Sequence, residues 1–324
     1  MEKPYSSSRA SCTRAETRRR SGWSHSQSSW GGVARALKEL GARHVLVGED
    51  SVLGPSRVAF HAMGLFPYID GVATPVYFDE ARHVRVDVED SIVQGSFVVP
   101  AVWPAVDMFV SLPKIKVNQF ATVSVSVKNL GFLRQDERCR NHSDGTLHEK
   151  IADLYRVRPP DLVLADSIVA GEGQGPMMAR PVALSVMVGG TNGIAVDAVA
   201  CRLMGVNPFE VGHLRYLEEA GIGPLGDHEI EVAGEKVEDV ARCFDLPSTS
   251  FEGLSSNLRV FMGADRCCAF GCRGMVRCAL DGWVEGGSTG LREMNIIVGR
   301  PIPDLPRDLD PRRTIVVGNC AVEH

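Results

Sequence analysis

Long apolar runs are missing from this 324-residue chain. None approaches the roughly 20 residues that span a bilayer, which argues against a membrane partner. No hydrophobic leader opens the sequence, so a cytoplasmic setting is expected. Basic residues are not in excess: 35 Lys and Arg stand against 40 Asp and Glu, a formal net charge of −5. That balance lacks the electrostatic footprint of a nucleic-acid binder. The nine cysteines contain no C-x2-C pair, which argues against a zinc ribbon and leaves the ferredoxin run absent. Their odd count and uneven spacing suit reduced thiols better than a disulfide framework.

What remains is an ordinary globular composition, 44% hydrophobic and 23% charged, with room for one large or two modest domains. Residues 1–30 are rich in Ser and Arg and carry few acids, so disorder is expected there; an organelle transit peptide has a similar composition. Order is expected from Gly31. Val33, Ala36, Leu37 and Leu40 recur at i, i+3, i+4 and i+7 and predict a helix ended by Gly41. His44–Val47 reads as a strand, and Pro55 opens a second helix to about Met63. This order suits βαβ units. The expected fold is α/β: a mostly parallel sheet with flanking helices over 31–246, then a small cysteine-bearing α/β segment over 247–324.

Further along, Val84, Val86 and Val88 alternate and Ser96–Pro100 adds a short strand, a two-stranded excursion. Asp107–Leu112 reads as a buried strand. Lys114 and Lys116 follow it, at the strand edge where open α/β sheets bind ligands, and Lys128-Asn129 closes the next segment. Three converging ammonium groups would suit a phosphate or carboxylate, so an anionic small molecule is the expected partner; solvated lysines flanking a strand explain the same residues. The polar stretch Arg134–Lys150 reads as a surface loop carrying Cys139, His142 and His148, with His148 opening the helix that runs to Val157.

The stretch Asp161–Gly205 organises the rest. Leu162–Leu164 and Val182–Val188 are strand-like, separated by Gly171-Glu172-Gly173-Gln174-Gly175-Pro176, which reads as a loop unable to continue either strand. Such loops at strand ends carry ligand contacts, although a plain flexible connection has the same composition. This one is neither a G-x-G-x-x-G turn nor a Walker loop, which weakens a nucleotide-binding reading. A helix then opens beside Asp197. Phe209–Ala220 is an amphipathic helix closed by Gly221, Glu229–Val240 looks like strand–turn–strand, and Pro247–Asn257 resembles a linker. Beyond it, Cys267, Cys268, Cys272 and Cys278 cluster among glycines, with Cys320 at a distant strand end. Soft thiolates on tight turns suit an iron–sulfur cluster; buried structural cysteines on a helix are the competing reading.

Taken together, Ser111–Phe120 with Val127–Phe132, the Glu172–Pro176 loop and Gly189–Gly205 resemble the prokaryotic family called domain of unknown function 362, over about Gly31–His324. Its members are commonly described as iron–sulfur proteins. The resemblance implies that Lys114, Lys116, Lys128, Asn129, Glu172, Gly173, Gly175, Pro176 and Asp197 occupy motif positions. It likewise implies that His148 matches a helix-opening histidine. Cys268, Cys272 and Cys320, with Cys267 as the alternative to Cys268, would be metal ligands of a cluster, 4Fe-4S in type. The expected function is redox chemistry on an anionic molecule, with an electron-transfer partner and Glu172 or His148 moving protons. A scaffold protein that has lost its cluster is the alternative. Three departures bear on it: no Lys-Pro-Asn strand opens the chain, Asn118 and Asn192 stand where His and Asp are common, and the chain ends at Gly318–His324 where relatives often carry another cysteine segment.

Overall fold

The computed structural model describes residues 24–51, 54–130, 132–142, 145–264, 272–285, 292–302 and 304–322. Of the disorder expected over 1–30, residues 1–23 lie outside those described, as do the ligand assignments of Cys267 and Cys268, while 24–30 form the start of a helix instead. The chain is α/β, as its pattern predicts.

Helix α1 (Ser24–Glu39) starts earlier than the pattern indicates and buries a different face. Gly31 and Ala34 are its closed positions, while Leu40 is 84% exposed. The reason is close packing: a Cβ on Gly31 would lie 2.5 Å from the Tyr68 carbonyl oxygen, so the helix approaches its neighbour through glycine. Strand β1 (Leu46–Glu49), α2 (Ser56–Ala62), α3 (Phe66–Ile69) and β2 (Thr74–Tyr77) follow. β1 and β2 pair in parallel over a small core of Phe60, Leu65 and Ile69. Strands β3 (His83–Asp87) and β4 (Ser96–Pro100) form the expected antiparallel excursion.

The main sheet is mixed. β5 (Val110–Ser111), β6 (Lys114–Asn118) and β8 (Leu162–Gln174) run parallel, while β7 (Thr122–Ser124), β9 (Met178–Val182) and β10 (Val186–Gly190) join antiparallel. A 3-10 turn (Val127–Asn129), α4 (Gln135–Asn141) and α5 (Leu147–Val157) lie between β7 and β8. α4 corrects the surface-loop reading of that stretch. Its acids fall in the first turn and its arginines in the last, which suits the helix dipole, and Glu137 is buried where it accepts a hydrogen bond from the Val98 amide. Helix α6 (Gly193–Leu203) is buried nearly all round and is capped by Asn192, whose Oδ1 accepts from the Ile194 and Ala195 amides.

After α6 come a 3-10 turn (Pro208–Glu210) and α7 (Gly212–Glu219), ended by Gly221 at positive φ. The expected strand–turn–strand at 229–240 is absent. Val237 and Val240 instead pack on the main core as a single helical turn, α8 (Val237–Val240). Residues 241–257 carry no regular element. Then β11 (Leu258–Met262), β12 (Met294–Val298) and β13 (Thr314–Val317) make a parallel sheet, with α9 (Gly274–Glu285) and α10 (Asn319–Val322) beside it. Val276, Leu280, Ile296 and Val298 form its separate apolar core.

A cationic cluster and its histidine neighbours

Alternation along β6 sends Ile115 and Val117 inward, both 0% exposed, and puts Lys114 and Lys116 on the other face. Lys114 pairs with Asp166 of β8 at 3.0 Å. Lys116 crosses β8 above Gly171, where a Cβ would meet the Lys116 Cβ at 3.3 Å and the Ala179 Cβ at 3.2 Å. Gly171 thus makes room for the lysine stem. Burial, with Lys114 nearby and Glu49 opposing, lowers the Lys116 ammonium to about 8. Lys128, on the 3-10 turn, also falls to about 8, through burial and the repulsion of Lys116 and Arg138. Both lysines remain half-buried, not closed in.

Of the two acids at the end of β1, Glu49 acts on Lys116 and Asp50 on Arg138. Glu49 is raised by burial, and Asp50 pairs with Arg138 of α4 at 2.8 Å. His142 rests its Nδ1 on the Arg138 carbonyl oxygen at 2.8 Å and is held down at about 4 by burial and by Lys128, so it is neutral at pH 7. His148 begins α5. Its Nδ1 lies 3.1 Å from the His213 amide nitrogen and 3.1 Å from His213 Nδ1, with the two rings stacked 5.3 Å apart at 13°. Both histidines are pushed down by burial, and Lys128 adds to the effect on each. Beside the cluster opens a cavity of about 540 Å³, mainly apolar, whose wall includes Glu49, Ser111 and Asn129. The lysines do not line it. The Asn129 amide reaches Ser111 Oγ at 3.1 Å.

The glycine segment is not a loop. Gly171–Gln174 continues β8 and turns through Gly175-Pro176 into β9, and Ser185 at φ 59° separates β9 from β10. Gly175 is required because a Cβ there would stand 2.2 Å from the Val117 carbonyl oxygen. Gly173 gives its amide to the Asp245 carbonyl at 2.7 Å. Strand alternation places Glu172 opposite Gly171 and hence away from Lys116. Its carboxylate meets Arg180 at 3.4 Å and accepts from the Asp245 amide at 3.0 Å. Asp197 is 0% exposed and accepts from the Ser126 and Val127 amides at 2.7 and 3.0 Å, so it ties α6 to the turn that carries Lys128. The structure therefore brings Lys114, Lys116, Lys128 and His148 together and leaves Glu172, Gly173 and Gly175 apart. Arg138 and His213, absent from the sequence reading, belong with them.

Cys272, beside the start of α9, and Cys320, in α10, are 48 positions apart in the chain. They converge at Gly318: a Cβ there would meet Cys272 Sγ at 2.7 Å and Cys320 Sγ at 3.8 Å. Two soft donors at one turn fit part of an iron–sulfur ligand set. Cys278 is buried in α9, with its thiol pushed up by burial. Among the described residues no group of three His, Cys, Asp or Glu side chains forms a metal site.

A mixed α/β sheet with a cationic cluster at its strands, followed by a smaller parallel unit with two convergent thiols, defines the class: a mixed α/β protein with a second, smaller parallel unit. Within that class the chain belongs to the DUF362 family, a domain of unknown function, whose model matches residues 24–202. It is also 23% identical over 198 residues to a thylakoid-associated protein of Synechocystis sp., a match covering 59% of this chain and 60% of that protein. No solved structure matches the chain. No helix among the described residues is long and apolar enough to cross a membrane.

Proposed function

We propose that the protein binds a small anionic molecule, phosphate- or carboxylate-bearing, at Lys116 and Lys128. One observation carries the reading: two half-buried ammonium groups share one site, and the acids about them answer mainly to other cations. Asp166 pairs with Lys114 and Asp50 with Arg138, so among the described residues Glu49 alone opposes Lys116. A ligand anion supplies the charge that this arrangement lacks. Isothermal titration with inorganic phosphate tests it. Lys116→Met and Lys128→Met should each weaken binding about tenfold or more, the scale of a charge-assisted hydrogen bond. Affinity should also fall as pH rises through about 8, where both ammonium groups lose their protons. Binding that is unaffected by both substitutions would rule the site out.

The convergence of Cys272 and Cys320 supports a second element of the reading, a redox-linked iron–sulfur centre on the C-terminal unit that exchanges electrons with a partner protein. Such a centre would supply one-electron chemistry, and the thiolates would hold it through soft-donor bonds. Protein purified without oxygen should then contain iron and sulfide, and Cys272→Ser should lower both. Iron-free protein from that preparation would leave the chain as a non-catalytic binder. The clamping of Glu172 by Arg180 and the Asp245 amide favours that simpler role for the β8–β9 segment. A cytoplasmic setting is part of the proposal; thylakoid association is a property of the Synechocystis relative.

A further inference from the structure

The histidine pair has a definite proton arrangement. A backbone amide can only donate, and the His213 amide points at His148 Nδ1 from 3.1 Å. His148 Nδ1 is therefore bare, and in the neutral ring the single proton sits on Nε2. His213 Nδ1, also 3.1 Å from that bare nitrogen, makes an attractive contact only if it carries the proton, which leaves His213 Nε2 as the bare one. That second nitrogen is fully buried and has no partner among the described residues, so protonating it would place a charge in the core with nothing to receive it.

The holding group is structural. His213 lies in the first turn of α7, where amides have no partner within the helix and the dipole disfavours an imidazolium. Gly212 lets the ring reach that amide, since a Cβ there would stand 2.8 Å from His148 Cγ and 3.0 Å from Nδ1. We infer that the first turn of α7 locks His148 as a neutral Nε2–H imidazole, which serves the anion site of Lys128 as a hydrogen-bond donor and not as a base. The ligand half of this inference rests on the proposed anion site; the proton arrangement does not. A helix N-terminus that keeps an imidazole neutral so that it can donate is an established chemical device.

The surrounding charges agree. Burial, Lys128 on the 3-10 turn and Arg215 on α7 all oppose an added proton on His148. Glu149, on the same helix as His148, favours one, but its carboxylate is engaged by Tyr216 Oη at 2.8 Å. Protonation would also set an Nδ1–H against the His213 amide N–H, so the ring would have to leave α7 first.

Two-bond proton–nitrogen correlation spectra of protein with 15N-labelled histidine read the arrangement directly, and the loss of signals in His148→Gln assigns them. The expected result is a bare Nδ1 and a protonated Nε2 on His148, unchanged from about pH 5.5 to about pH 8. A proton on Nδ1, or an ordinary titration near about 6.5, overturns the inference. Gly212→Ala should release the ring and restore that titration, whereas His213→Leu, which keeps the amide, should leave the His148 tautomer in place. A tautomer lost in His213→Leu would overturn the amide's role even if Gly212→Ala does not fold. For the donor role, His148→Ala should weaken phosphate binding about tenfold and His148→Gln, whose amide nitrogen replaces Nε2–H, by less. Equal binding by wild type and His148→Ala overturns the donor role. Wild type that binds no phosphate removes the anion site while the spectra still decide the tautomer.

Discussion

Lys116 and Lys128 sit where burial away from water favours the neutral amine, and neighbouring cations add to the effect. Their folded values of about 8 lie below the ordinary 10.5, so unfolding takes up protons between those limits and stability from these groups rises with pH across that window. Below about 8 each ammonium is carried at a cost. Lys128→Met should therefore raise stability at pH 7, by about 1 kcal/mol after allowance for partial solvent contact, even as it weakens anion binding. Thermal unfolding at pH 7 measures it, and a lower melting temperature would show that the lysine is already neutralised within the fold. At this scale the sequence was informative where chemistry is carried by residue type and spacing. Lys114 and Lys116, expected just past the end of a strand, lie within one, β6, where their i, i+2 spacing puts them on one face. Nothing local announces Arg138 or His213, because their roles depend on where α4 and α7 come to rest.

Elements carried more of their signal in punctuation than in hydrophobic pattern. Pro55 before α2, Gly41 after α1 and Gly221 after α7 all mark boundaries that the structure respects. The glycines of β8 misled for a physical reason: Gly171 and Gly175 are demanded by side-by-side backbone contact, and composition alone does not separate that need from a flexible loop. Asp197 joins two elements and carries a testable pH signature. Burial outweighs its two amide hydrogen bonds and pushes its carboxyl up to about 7 from 3.8. The folded state thus binds a proton that the unfolded state has lost, and this contribution, full at about pH 4, fades as pH rises through about 7. Asp197→Asn, neutral throughout, should flatten the decline in urea-unfolding free energy over that range. Parallel curves for wild type and variant would show that Asp197 does not titrate there.

At the scale of the whole molecule, the described residues form three apolar cores, and the smallest lies under β1 and β2. That division was not legible in the sequence, where β1 reads as one more strand of a single sheet; its separation depends on which edges pair, a long-range matter. The pair of four-residue strands has hydrogen bonds to no other strand among the described residues, and two-stranded sheets are marginal alone. The acids at its end, Glu49 and Asp50, stand beside the proposed anion site, and the Arg138–Asp50 ion pair fastens them to α4. The amides of β1 and β2 should accordingly exchange with deuterium sooner than those of β6 and β8, and sooner still in Arg138→Met. Equal protection in the two sheets would overturn this. If the order holds, these acids belong to a part of the protein that opens spontaneously while the lysine strands stay closed. The frequency of that opening would then set how fast an anion reaches the site, making arrival a property of the smallest core and retention a property of the largest.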